Sequence, residues 1–370
     1  MHRRNFLHFA AAAAAHARLA AGAPAYKVVT RFAPSAEPGM PRPYAGQVVR
    51  LHCARSIDPA SERADAPAVR EMVSRGMRSL TGAKTERDAW ARFFNARDVV
   101  GIKVNCSGAP EIMSTPEVVS AIVANLMALG IPEKNLYIYE RFPDQLNSVH
   151  YDRYVPAGVN IVAIESPRNS LAGYDPKTYV DVNFSGESDT RSNMVGLVTG
   201  RFTKIINVPN LKDHGAAGVT GCLKNIAYGN FSNVARSHTG PLTSTLTFVG
   251  ALAAVEPLRA KTVLQVMDGL RGVWHGGPFS PERRFRFYPG QMMFGTDPVA
   301  IDRLELDMIE AKRKEQGALS LYDRSMRNVS NGKGLDPRVN HFIREPGHIE
   351  YAGKLGLGVF DPIRVTDLEL

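Results

Sequence analysis

The sequence predicts an α/β fold: a mostly parallel sheet covered by helices on both faces, with turn-rich insertions. Three observations predict it. Short apolar runs alternate with stretches that carry apolar residues at helical spacing. Polar clusters fall where the apolar runs end, as they do at the carboxyl ends of strands in such sheets. No internal repeat and no second run of 18 apolar residues points to another architecture.

The elements follow in order. Residues 1–25 have the layout of a twin-arginine export signal. His2-Arg3-Arg4-Asn5-Phe6-Leu7 precedes an alanine-rich stretch and small-x-small sites at Ala21-Gly22-Ala23 and Ala23-Pro24-Ala25. No serine precedes the arginines, and His16 and Arg18 interrupt the apolar stretch. The expectation is a periplasmic protein, exported by the twin-arginine machinery, with no membrane span once the signal is removed. Residues 26–46, rich in proline and glycine, read as an extended lead-in. An α/β domain over 47–310 and a C-terminal extension over 311–370, packing on the same domain, complete the chain.

Within the domain, Gln47 to Cys53 reads as a strand, and Ala66 to Leu80 and Glu86 to Phe94 as helices, the first opened by Asp65-Ala66-Pro67. Val99 to Cys106 is a strand. Ser114-Thr115-Pro116-Glu117 opens a helix to Leu129, stopped by Gly130. Strands are expected at Asn135–Tyr139, Val159–Ile164, Phe202–Val208, Thr262–Met267 and Gln291–Phe294. Helices are expected over 218–228, 242–254 and 298–310. Residues 166–195 and 311–350 are polar and turn-rich, and read as insertions or lids.

Composition narrows the function. The formal net charge is +9, and the first 25 residues carry three arginines and no acid, which leaves +6 beyond them. That balance suits an anionic partner, and the Arg283-Arg284-x-Arg286 run reads as a solvated loop, so no nucleic-acid partner is expected. Cys53, Cys106 and Cys222 form no C-x-x-C and no Cys/His zinc spacing, so neither an iron–sulfur cluster nor a structural zinc site is expected. Neither G-x-S-x-G nor a paired Cys–His motif is present.

Chemistry concentrates at predicted strand ends. Lys103 and Asn105 lie two apart in Gly101-Ile102-Lys103-Val104-Asn105 and share one face of the sheet. A lysine inside an apolar strand is costly to bury unless an acid or anion meets it. After Pro209, Lys212 and His214 again lie two apart. The run Gly215-Ala216-Ala217-Gly218-Val219-Thr220-Gly221 follows, with residues small enough for a backbone to approach a ligand and with N–H groups at a helix start. Lys224 and Asn225 sit one turn into that helix. The spacing is not that of a Walker A loop. Asp268 follows the strand Thr262–Met267 and reads either as a site acid or as a turn-forming Asp-Gly. Asp297-Pro298 is a standard helix start. Trp274-His275-Gly276-Gly277-Pro278 reads as a loop able to cover a ligand.

Together, Gly101-Ile102-Lys103-Val104-Asn105, Asn207-x-Pro209-x-Leu211-Lys212-x-His214, Gly218-Val219-Thr220-Gly221-x-Leu223-Lys224-Asn225 and Asp297-Pro298-Val299-Ala300-Ile301-Asp302 resemble domain-of-unknown-function family 362. His238, Asp268-Gly269 and Gly277-Pro278 fall in order between the last two. The resemblance spans residues 45 to 310 and is greatest to the exported branch that lacks a ferredoxin module. The family has no agreed reaction. A distant architectural likeness to the nickel-pincer lactate racemases is analogy at the level of fold. Within the family pattern His238, otherwise a local capping residue, is implied as a second imidazole of the site.

The leading expectation is an exported enzyme acting on a small anionic substrate, a carboxylate foremost. His214, His238, Lys212 and Asp268 are its candidate catalytic residues. Lys103, Asn105, Lys224, Asn225, Thr220, Gly218 and Gly221 are candidates to hold the anion. A metal or an anionic cofactor is admitted, with His214, His238 and Asp268 as candidate ligands. The alternative is a non-catalytic periplasmic protein that captures an anion or metal complex in the same pocket.

Overall fold

A computed structural model describes residues 24–166, 171–279, 282–330 and 335–370. Nearly all of the predicted export signal lies outside the described residues. The core is an eleven-stranded sheet. Its strands are β1 (Gln47–His52), β2 (Val100–Val104), β3 (Leu136–Glu140), β4 (Asn160–Ala163), β5 (Lys204–Val208), β6 (Asn210–His214), β7 (Gly218–Val219), β8 (Thr262–Val273), β9 (Arg286–Phe287), β10 (Gln291–Gly295) and β11 (Arg364–Glu369). The spatial order is β11-β1-β10-β8-β5-β2-β3-β4, with β6 alongside β8. Strands β8, β5, β2, β3 and β4 are mutually parallel, whereas β10 runs against both its neighbours.

Alternation along the strands divides the core in two. Ile102, Val104, Ile206, Val208, Leu264 and Val266 face one way and are covered by α1 (Ala66–Thr81) and α2 (Pro116–Ala128). Ile205, Met267 and Met293 face the other way, under α3 (Gly221–Tyr228), α4 (Thr245–Ala253) and α5 (Pro298–Glu315). The protein is therefore an α/β fold with a mostly parallel sheet and helices on both faces. Local signals set the boundaries: Asp65 accepts from Ala68 N at the start of α1, and Gly82 ends that helix at φ +67°. All three cysteines are free and buried.

Four details differ from expectation. Strand β8 does not stop at Met267 but runs to Val273, so Asp268-Gly269 lies inside a strand rather than in a turn. Close neighbours explain those glycines: a Cβ on Gly269 would stand 2.9 Å from Gln291 O, and one on Gly272 2.8 Å from Leu211 O. Pro209 has no N–H to give the ladder, yet its carbonyl accepts from Asp268 N at 2.9 Å. It splits what would be one strand into β5, paired with the first half of β8, and β6, paired with the second half. The segment read as a helix from 218 begins as β7, folded back on β6, and turns helical only at Gly221. The region 166–195 holds a hairpin, Tyr174–Asp181 with Arg191–Val195, to which Lys27–Val29 of the lead-in adds a third strand. Beyond 311, helix α6 (His348–Lys354) and the edge strand β11 join the same body.

Candidate functional site

A row of polar side chains crosses the sheet beneath α3. Gln265 on β8, Asn207 on β5 and Lys103 on β2 are lateral neighbours. Asn207 Nδ2 donates to Gln265 Oε1 (2.7 Å) and to Cys222 O (2.9 Å), and Asn225 Nδ2 donates to Asn207 Oδ1 (2.8 Å). Asn225 Oδ1 in turn accepts from Asn105 Nδ2 (3.0 Å) and Lys103 Nζ (3.3 Å). The Lys103 ammonium also reaches Glu140 Oε1 at 3.0 Å and Val104 O at 2.5 Å. Its three donors are thus satisfied inside the protein, with a carboxylate to balance its charge. Gly229 makes room for it, because a Cβ there would collide with Lys103 Cε. Lys103 is part of the scaffold.

Lys212 stands differently. Its ammonium donates to Asn105 Oδ1 (2.5 Å) and Ser107 Oγ (2.9 Å), both neutral. The side chain is fully buried, and burial pushes its pKa down to about 8. Asn105 therefore links the two lysines, donating towards Asn225 and accepting from Lys212.

Lys224 has no such partners. It lies on α3 only 8% exposed, with Nζ 4.4 Å from the centre of the Tyr228 ring and no acceptor or carboxylate among the described residues. Burial first, then the charges of Lys212 and Arg141, push its pKa down to about 7. Beside it are two imidazoles with ring centres 5.2 Å apart, His214 and His238. His214 Nδ1 accepts from Ala216 N (3.1 Å) and Ala217 N (3.2 Å), so the neutral ring carries its proton on Nε2. His238 Nδ1 faces Ala235 O at 3.3 Å and Ser237 Oγ at 3.4 Å; donation to Ala235 O leaves Nε2 as a lone pair, with no partner among the described residues. Burial and the Lys224 charge hold both rings neutral, His214 well below the usual histidine range and His238 at about 3. One imidazole thus offers a proton and the other a lone pair. A third, His348 on α6, is buried and donates from Nδ1 to Glu345 O (2.9 Å).

Other expected members are engaged elsewhere. Asp268 accepts from Thr115 N (2.6 Å) and Leu270 N (3.1 Å), so it caps the start of α2 and bonds to neither histidine. The backbone donors of the small-residue loop are likewise occupied. Thr220 N donates to Lys212 O, Cys222 N to Asp302 Oδ1 (2.5 Å) and Leu223 N to Asp302 Oδ2 (2.9 Å). Gly221, at φ +56°, is where the Asp302 carboxylate abuts the chain, and Gly218, at φ +90°, turns beneath Pro346. The start of α3 is thus filled by the protein's own acids, Asp302 and Glu305, whose pKa values burial raises, that of Asp302 to about 7. Thr220 contributes only a buried hydroxyl without a partner.

His214, His238 and Asp268 do not form a metal site together. Among the described residues no three His, Cys, Asp or Glu side chains are placed to hold an ion. The Nε2–H of His214 also presents a proton where a metal would need a lone pair.

Sequence reasoning missed Glu140, Ser107, Gln265 and His348. Glu140 and Gln265 each stand on a predicted apolar strand or at its end, the same signal that singled out Lys103. His348 had no comparable signal, because the polar stretch around it shows no periodicity.

Fold and site together define an α/β protein whose central parallel strands lead to a buried cluster of Lys212, Lys224, His214 and His238. A family model described as Domain of unknown function (DUF362) matches residues 100–307, more than half of the chain, and the chain belongs to that family. No curated protein matches it.

Proposed function

We propose that the chain is an exported enzyme acting on a small anionic substrate, a carboxylate foremost, bound between Lys224, His214 and His238. The observation that carries this reading is the Lys224 ammonium, buried without an acceptor beside two imidazoles whose Nε2 atoms differ in role. A carboxylate would supply the acceptors that Lys224 and His214 Nε2–H lack, and Lys212 would add positive potential from below. His238 Nε2 is then the base for a proton of the bound molecule. Lys103, Asn105 and Asn225 hold Lys212 and α3 in place, and Asp268 holds α2.

The pH dependence follows from Lys224. An anion favours its charged form, which the empty site loses above about pH 7. Affinity for acetate, measured by calorimetry at constant ionic strength, is expected to fall about tenfold per pH unit above 7. A flat profile from pH 6 to 9 contradicts the reading.

The alternative of a non-catalytic binding protein is favoured by one feature: neither imidazole has a carboxylate partner among the described residues. Exchange of the α-hydrogen of small hydroxy or keto acids into deuterated water, followed by NMR, separates the two. Exchange that His238→Asn abolishes supports the enzyme, and tight binding without exchange supports the binder.

Export rests on Arg3-Arg4 and the Ala-x-Ala sites. Changing both arginines to lysine is expected to strand the protein in the cytoplasm, in fractionated cells. Normal export of that variant rules out the twin-arginine route.

A further inference from the structure

Strand β6 carries Asp213 between Lys212 and His214, so by alternation its side chain leaves on the other face. There Asp213 Oδ2 meets two guanidinium groups from different segments, Arg344 Nη2 at 3.6 Å and Arg313 Nη1 at 3.8 Å. Its Oδ1 accepts from Gly277 N at 2.7 Å. Arg313 comes from the last turn of α5, donates from Nε to Leu319 O (2.8 Å) and from Nη1 to Trp274 O (3.0 Å), and stands 3.2 Å from His275 Nδ1. Because a guanidinium only donates, His275 Nδ1 accepts and its Nε2 carries the proton. Arg313, Arg344 and His275 are 0%, 3% and 4% exposed.

Among the described residues Arg313 Nη2 and Arg344 Nε and Nη1 are donors with no hydrogen-bond partner, and the His275 imidazole has the Leu335 backbone beside it. Against them stands one free acceptor, Asp213 Oδ2. Two further acids act on the pair: Glu310, which accepts from Leu321 N through Oε2, and Asp323, which accepts from Ser325 N and Asn328 Nδ2. One water could accept from two of these donors and give a proton to Asp213 Oδ2, whereas an anion brings only acceptors and has enough for all of them. Burial first, then the neighbouring Arg344, push the Arg313 pKa down to about 9, against the opposing charges of Asp213 and Glu310. A surface hollow of about 410 Å³ lies nearby. Its wall includes Leu335, which packs on the Trp274–Phe285 cluster beside His275.

We propose that Arg313, Arg344 and His275 form a second anion site, for a small planar oxoanion such as formate or bicarbonate, separate from the cluster at Lys224. The guanidinium forks match two oxygens in one plane. This inference does not depend on the reading of Lys224. Formate is the probe, titrated by calorimetry at constant ionic strength. The wild-type protein is expected to bind two formate ions. Lys224→Met removes one and leaves the other. Arg344→Gln weakens the second by about ten- to a hundred-fold and leaves the first. A single site that Arg344→Gln does not touch overturns the proposal, as does a single site lost in both variants or no binding at all. Should Arg344→Gln not fold, a crystal structure of the wild type grown in formate decides. Planar three-atom density against both guanidinium groups supports the site. Water alone there overturns it and leaves the arginines as a clamp on Asp213.

Discussion

Replacing Glu140 with Gln is expected to destabilise the protein by about 3–5 kcal/mol, because it leaves the buried Lys103 ammonium without the carboxylate it is paired with. Lys103 has no exposure and cannot turn to solvent: Gly229 closes over its Cε, and the amide of Asn225 holds its Nζ. The loss extends beyond the pair, because Asn225 Oδ1 also holds Asn105, and Asn105 holds Lys212. Denaturant melts provide the measurement. A double variant, Lys103→Met with Glu140→Leu, is expected to recover most of the loss, since a buried ion pair replaced by packed apolar groups is often neutral or better. A loss under 1 kcal/mol for Glu140→Gln, the range of an exposed pair, contradicts this account of Lys103.

Replacing Lys224 with Met is expected to act in the opposite direction on stability and strongly on binding. The folded protein holds Lys224 at about 7, against an ordinary lysine value of 10.5. Below pH 7 both the folded and unfolded chains carry the proton, and the cost of burying that charge is felt in full. Between 7 and 10.5 the unfolded chain keeps the proton that the fold gives up, so stability of the empty protein rises with pH across that window. Lys212, at about 8, adds a rise of the same sign above pH 8. Lys224→Met removes the larger part of that slope, and at pH 6 it is expected to stabilise the empty protein or leave it unchanged. It also removes a charge-assisted hydrogen bond to the ligand, at about 1.5–3 kcal/mol, or about ten- to a hundred-fold in affinity for acetate. Arg283, an exposed residue whose guanidinium donates to Pro59 O and Ala60 O, is the comparison, and its replacement by Met is expected to leave binding unchanged. Equal, small effects at Lys224 and Arg283 contradict the assignment.

The fold was legible in the sequence where periodicity was strong. Helices α1 and α2, with their N-caps at Asp65 and Thr115, and the parallel strands β2 to β5 stand within a few residues of expectation. It was less legible where long-range neighbours decide. Asp-Gly is a turn signal by local chemistry, yet at 268–269 the chain continues as strand, because Pro209 and Gln291 approach its backbone from either side. For the site, alternation at i and i+2 placed Lys103 with Asn105 and Lys212 with His214. Alternation says nothing of which lysine has a carboxylate waiting: Glu140 is 37 residues from Lys103, and no spacing links them. The free N–H groups expected at the start of α3 are occupied by Asp302, which lies one turn into α5 and 80 residues from Cys222.

Lys224 is a buried ammonium with no acceptor among the described residues, and the proposed anion would supply one. Its own titration tests this directly, by NMR of protein carrying labelled lysine Cε, with Lys224→Met to assign the signal. The expected result is a midpoint near 7 in the empty protein that moves upward when acetate is added. A midpoint at the ordinary lysine value of about 10.4, unmoved by acetate, contradicts it.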